Sequence, residues 1–180
     1  STIFPFRLAG FNKVWQPRFA APDPSTPTAT SAVTGVLLIV GQNLHRAPGI
    51  FRQYQLNFET AYNIVRPCFL QMMRQGWGRI FLVGSKPGLR AEDGNGMVAY
   101  GLAKSLIFRL AELLNEEARG CGVVTSVLVP GTIDTPQNRQ SMPQADFSKW
   151  IKPETIASVI SFYCSAPTSS IREPVIKLYD

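Results

Sequence analysis

Tyr100 and Lys104 stand four residues apart in a stretch with helical spacing, so their side chains share one face of one helix. That pairing suits proton transfer. A phenol with a pKa of about 10 is a poor acid or base near neutrality. An ammonium group held close favours the phenolate, and each unit of depression represents about 1.4 kcal/mol of charge stabilisation. Ser85 follows an apolar run ending at Val83, where its hydroxyl can bond a substrate oxygen as charge develops there. Asn57, inside a helical pattern, can anchor a water that relays protons. Each residue also has a plainer reading. Ser85 alone is a loop serine, Asn57 a capping or solvent-facing asparagine, and Tyr100 with Lys104 a surface pair.

The elements that must hold these residues can be traced along the chain. The apolar run Val36-Leu-Leu-Ile-Val40, ended by Gly41, reads as a strand buried on both faces. Residues 51–74 carry helical spacing interrupted at Pro67, and residues 79–83 form a second apolar strand. A glycine-bearing loop over 84–96 leads into an amphipathic helix of about 98–118, with Leu102, Leu106, Leu110, Leu113 and Leu114 on one face. Gly120 and Gly122 stop it, and residues 123–129 make a third strand closed by Pro130 and Gly131. Pro153 opens a last helix at its favoured first position, and residues 174–179 make a final strand. Strands alternating with helices imply βαβ units, hence an α/β fold with a parallel sheet and helices on both faces. Ligands of such sheets bind outside the carboxyl ends of the strands. Ser85, Tyr100 and the segment 130–135 gather there.

Composition narrows the classes of function. The 180 residues suit one domain, and 45% hydrophobic content is that of a globular chain. No stretch approaches the roughly 20 apolar residues that span a bilayer, and the start lacks a signal-peptide pattern, so no membrane association is expected. The net charge is +6, but the basic residues are scattered and have no aromatic interleaving. A solvated basic surface is expected, and no nucleic-acid partner. Cys68, Cys121 and Cys164 are odd in number and set in apolar surroundings, which reads as buried free thiols in a reducing, cytoplasmic compartment. His45 is the only histidine and no cysteine pair has ligand spacing, so no metal is expected. Residues 1–34 differ from the rest: an irregular apolar segment runs into a Pro/Ser/Thr-rich linker. Residues 35–180 form the α/β part.

Three motifs appear in order, each at the proper strand or helix end: Gly76-Trp-Gly-Arg-Ile-Phe-Leu-Val-Gly-Ser85, Ala99-Tyr-Gly-Leu-Ala-Lys104 and Pro130-Gly-Thr-Ile-Asp-Thr135. With them, residues 35–180 resemble the second, catalytic half of a short-chain dehydrogenase/reductase. The resemblance implies a Rossmann-like, doubly wound parallel sheet truncated at its amino end. It also implies a catalytic tetrad of Asn57, Ser85, Tyr100 and Lys104. Tyr100 would be the general acid/base, and Lys104 would also bind the nicotinamide ribose. Pro130 and Gly131 would open the cofactor loop, Ile133 and Thr135 would contact the carboxamide, and Gly41 matches the glycine that ends the family's fourth strand. The implied cofactor is NAD(H) or NADP(H), and the implied reaction is hydride transfer to a C=O or C=N group of a small-molecule substrate. Family subunits pair through helices corresponding to about 55–75 and 98–118, which implies a homodimer or homotetramer.

Residues 134–150 are similar to the same region of dihydropteridine reductases, so a quinonoid dihydropterin is one substrate the resemblance suggests. Ser85 stands where animal members of that group carry alanine, which leaves ordinary carbonyl reduction open. The amino end departs further. The Thr-Gly-x-x-x-Gly-x-Gly turn that cradles cofactor phosphate at a helix start has no counterpart in residues 1–34, where Gly10 stands alone. Three readings follow: the chain is a piece of a longer protein, a partner completes it, or it is a non-catalytic structural subunit that keeps the scaffold without the cofactor site.

Overall fold

The computed structural model describes residues 36–39 (backbone only), 49–165, 170–172 and 174–179. Gly41, Val40, His45 and the segment 1–34 lie outside the described residues. The elements run β1 (Val36–Ile39), α1 (Ile50–Tyr54), a π-helical turn (Gln55–Glu59), α2 (Thr60–Gln75), β2 (Trp77–Val83), α3 (Lys86–Leu89), α4 (Val98–Glu117), β3 (Gly122–Pro130), α5 (Pro136–Ser141), α6 (Pro153–Tyr163) and β4 (Val175–Leu178). The four strands pair in chain order, all parallel. Parallel neighbours require crossovers, and the helices supply them on both faces. Among the described residues no helix is long and apolar enough to cross a membrane.

Side chains alternate along β2 and β3 and so feed two cores. Ile80, Leu82, Val123, Val127 and Val129 meet Val65, Phe69 and Met72 of α2 and Ile107, Leu110 and Leu114 of α4. Phe81, Leu128 and Ile176 point the other way, onto Ile160 of α6. Burial on both sides is what the unbroken apolar runs of these strands require.

Two details of the helices differ from the sequence expectation. Pro67 lies inside α2 without breaking it. Both Pro67 and Asn63, whose carbonyl loses its helical donor to the proline ring, lie on the exposed side of the helix, where water is at hand to replace that bond. The real irregularity comes earlier. At residues 55–59 the helix widens by one residue, and the Thr60 amide and hydroxyl (2.8 Å) both donate to the Gln55 carbonyl five residues back. In α4 the expected leucine face is split: Leu110 and Leu114 are buried beside Ala103, Lys104, Ile107 and Ala111, whereas Leu102, Leu106 and Leu113 are exposed. The buried stripe runs through Ala103, Lys104, Ile107 and Ala111 as well, which leucine spacing alone does not reveal.

Helix α4 also finishes the sheet. β4 begins opposite Val127, so among the described residues the Thr125 N–H and C=O, which face the same side of β3, have no strand partner there. The Asn115 side chain takes both, at 2.8 Å each. The cysteines Cys68, Cys121 and Cys164 are free, as expected, but half-buried rather than buried. Burial still pushes the Cys68 and Cys164 thiols up.

Candidate active site at the carboxyl ends of β2 and β3

Ser85 leaves β2 in extended backbone, and its Oγ accepts the Gly88 amide at 3.4 Å, capping the short helix α3. A helix therefore forms inside the segment expected to be a loop, because a serine cap is followed by Pro87 in the first turn. That helix lies directly on α4. A Cβ added at Gly88 would stand 2.6 Å from the Lys104 Cβ, and one added at Gly101 would stand 3.1 Å from the Pro87 carbonyl oxygen. Two glycines thus let α3 settle onto the first turns of α4, and Ser85 comes down with it. Gly88 and Gly101 carried no chemical signal in the sequence; their offset from Ser85 and Lys104 is all that marked them.

The close approach brings three of the expected residues together. The Ser85 hydroxyl hydrogen-bonds the Tyr100 oxygen. The Lys104 ammonium lies 5.9 Å from the centre of the Tyr100 ring and donates to the Val83 carbonyl at 2.9 Å. All are buried: Tyr100 is 5% exposed and Lys104 2%. Burial dominates their acidities. It raises the Tyr100 phenol above its usual value, with the Ser85 bond pulling the other way. It lowers Lys104 to about 8. The sequence reading expected the ammonium to depress the phenol. Instead desolvation sets the direction of the shift, only the Ser85 bond opposes it, and Lys104 donates to a backbone carbonyl at the end of β2.

Asn57 is fully buried in the π-helical turn, in the run that packs against α4, and makes no direct hydrogen bond to the other three. Its Nδ2 donates to the Gln53 carbonyl oxygen at 3.1 Å and to Gln53 Oε1 at 2.9 Å. Its Oδ1 has no partner among the described residues. A buried acceptor of this kind is a place for a donor, whether water or ligand. Gln53, wholly buried, was missed in the sequence; a polar residue one turn before Asn57 was the available signal.

The segment after β3 is held by its own side chains. The Gly131 amide donates to Leu178 at 3.0 Å, and Asp134 and Ile151 tie residues 132–134 to residue 151. The Thr135 Oγ1 accepts the Asn138 amide, and Asn138 Nδ2 donates to the Ile133 carbonyl at 2.7 Å. Arg139 grips Asp134 at 2.6 Å and covers the Phe147 ring. Thr135 therefore keeps its own hydroxyl hydrogen for a ligand. These donors fit the nicotinamide end of a dinucleotide: one threonine hydroxyl, the backbone of Ile133 and, across the β2 end, a buried lysine.

Comparison with known proteins bears on the family and the fold. The family model described as short chain dehydrogenase matches residues 41–146. The chain is 30% identical over 103 residues to a cyclohexanol dehydrogenase of Rhodococcus sp. (strain TK6), covering 52% of this chain and 38% of that one. It is 33% identical over 82 residues to a dihydropteridine reductase of Dictyostelium discoideum, covering 44% and 34% respectively. Among solved structures, a β-ketoacyl-[ACP] reductase of Bacteroides thetaiotaomicron superposes with a TM-score of 0.65 at 21% identity, over 80% of this chain and 60% of that one. The chain spans about a third to a half of the length of the curated relatives it matches.

Proposed function

This chain belongs to the short-chain dehydrogenase family, and from that membership we propose that it carries the proton-transfer half of a nicotinamide-dependent oxidoreductase acting on a carbonyl or the matching alcohol. The observation that supports it is the Ser85–Tyr100 hydrogen bond with Lys104 buried one turn along the same helix. When bound, NAD(H) or NADP(H) supplies or accepts the hydride. The chain's own residues do the rest. The Tyr100 hydroxyl gives its proton to the developing alkoxide, and Ser85 fixes that oxygen within reach. Lys104, titrating near neutrality, is placed to bond the ribose and to return a proton to Tyr100. Asn57 Oδ1 holds the donor that links Lys104 to solvent. Ile133 and Thr135 hold the carboxamide.

Ser85 favours an ordinary carbonyl substrate. A second reading, a quinonoid dihydropterin, draws on the likeness of residues 134–150 and on the Dictyostelium relative. The exposed apolar side chains Phe51, Tyr62 and Leu70 of α1 and α2 and Leu102, Leu106 and Leu113 of α4 support pairing of two or four subunits. The free thiols support a reducing, cytoplasmic setting.

The test is oxidation of NADH and NADPH by the natural protein with a panel of ketones, keto acids and quinonoid dihydropterin. Turnover with a carbonyl compound is expected. Failure with every substrate, alongside a native fold, would replace the enzyme reading with the structural-subunit one.

A further inference from the structure

A cavity of about 290 Å³ opens at the carboxyl ends of β2, β3 and β4, lined by Lys86, Gly131, Thr132, Lys149, Ile151 and Tyr179. Lys86 directly follows Ser85, and Gly131 and Thr132 directly precede Ile133, so the cavity adjoins the site described above. Its charge is one-sided. The Lys86 ammonium rests 4.1 Å from the centre of the Tyr179 ring, a cation–π contact that fixes it at the cavity wall. Lys86 is half-buried, and no carboxylate among the described residues pairs with it. Lys149 stands exposed on the rim, and the nearest carboxylate, Asp146, reaches it only at 3.8 Å. No lining residue is acidic. An anion entering the cavity meets two cations and no carboxylate of the lining to oppose it.

We propose that this cavity binds the carboxylate of the substrate, so that the compound reduced or oxidised at Tyr100 is a keto acid or hydroxy acid. The inference rests on the hydride-transfer reading above and narrows its substrate class. Lys86 meets the carboxylate, Lys149 adds longer-range attraction at the rim, and the Thr132 hydroxyl supplies a neutral donor. An uncharged pterin makes no use of Lys86, so the proposal also separates the two substrate readings.

The experiment needs no turnover. The full 180-residue chain, with 13Cε-labelled lysine, is titrated with 3-oxobutanoate, with its uncharged methyl ester and with inorganic phosphate, while the Lys86 signal is followed by NMR. The keto acid is expected to shift Lys86 saturably and to bind at least about tenfold tighter than the ester, a difference of about 1.4 kcal/mol. Read by titration calorimetry, since neither variant carries the Lys86 signal, Lys86→Met should remove that preference and Lys86→Arg should keep it. Equal binding of acid and ester overturns the proposal, as does an unchanged preference in Lys86→Met. Phosphate binding as tight as the keto acid, in an anion hole blind to the carbonyl, overturns it as well. If Lys86→Met unfolds, the Lys86→Arg titration still decides, because loss of the preference with the charge retained also overturns the proposal. The hydride-transfer reading fails separately, by absence of turnover, which leaves this titration untouched.

Discussion

Gln53 holds Asn57 by a two-point contact one helical turn long, from Asn57 Nδ2 to the Gln53 carbonyl and to its side-chain oxygen, at 3.1 and 2.9 Å. Because the amide nitrogen is committed to Gln53, the amide oxygen is the end left over for the site. Orientation here comes from a neighbour with no chemical task of its own. Gln53→Leu should speed hydrogen exchange of the Asn57 side-chain amide and cost about 1–2 kcal/mol in urea unfolding, the value of one buried hydrogen bond with its desolvation. An Asn57 amide that exchanges at the original rate would show that Gln53 does not hold it.

Tyr100→Phe removes the proton-transfer atom and keeps the ring in the core. Turnover of the natural protein should fall by roughly 10² to 10⁴-fold. The melting temperature should stay within a few degrees, since the ring keeps its place in the core while the bond to Ser85 is lost. Steady-state kinetics beside a thermal melt decides it, and near-normal turnover would remove Tyr100 from the mechanism.

Lys104 gives the fold a measurable pH signature. Its folded pKa of about 8 lies below the ordinary lysine value because burial disfavours the charge. Between those two values the unfolded chain holds more protons than the folded one, so stability rises with pH across that window. Below about pH 8 the cost of burying the ammonium is present in full. From about pH 7 to 9.5, the wild-type chain should gain about 2 kcal/mol relative to Lys104→Met. The comparison stops there because Tyr100, whose pKa is raised, acts in the opposite direction at higher pH. Urea titrations of both proteins at the two pH values check this; a constant difference between them would show that Lys104 does not titrate in this range.

Gly88→Ala tests how Ser85 is placed. The new methyl group meets the Lys104 Cβ at 2.6 Å and its carbonyl carbon at 2.8 Å, so α3 must lift from α4. Overpacking of this kind costs about 1–3 kcal/mol. Because Ser85 caps α3, the Ser85–Tyr100 bond should break as well, and kcat should fall more than substrate affinity. Gly101→Ala, with a 3.1 Å approach to the Pro87 carbonyl oxygen, should be milder in both respects. A Gly88→Ala protein with unchanged kcat would mean that Ser85 is positioned by something other than this contact.

Much of this architecture was legible in the residues. The apolar runs at 79–83 and 123–129 could only be strands buried on both faces, and they are. The four-residue spacing of Tyr100 and Lys104 put both on the buried side of α4. Long-range electrostatics and close approach were not legible. Spacing says that a lysine is near a tyrosine; it does not say that its ammonium turns to the Val83 carbonyl, or that burial raises the phenol. The leucines of α4 divide into a core set and an exposed set, and hydrophobicity alone cannot separate the two on one helix. The widened turn at Asn57 also left no period to read, since one extra residue in a helical run shifts the pattern without ending it.

The Asn115 amide bears on how this chain behaves among other chains. Where β4 falls short among the described residues, the edge of β3 at Thr125 would offer an unpaired donor and acceptor in the geometry of a strand waiting for a neighbour. Asn115 occupies both with one rigid group carried on a core helix. It works as a plug. An extended segment of a second molecule finds no ladder to continue there, so that stretch of the sheet is closed to strand addition and to the aggregation that follows from it.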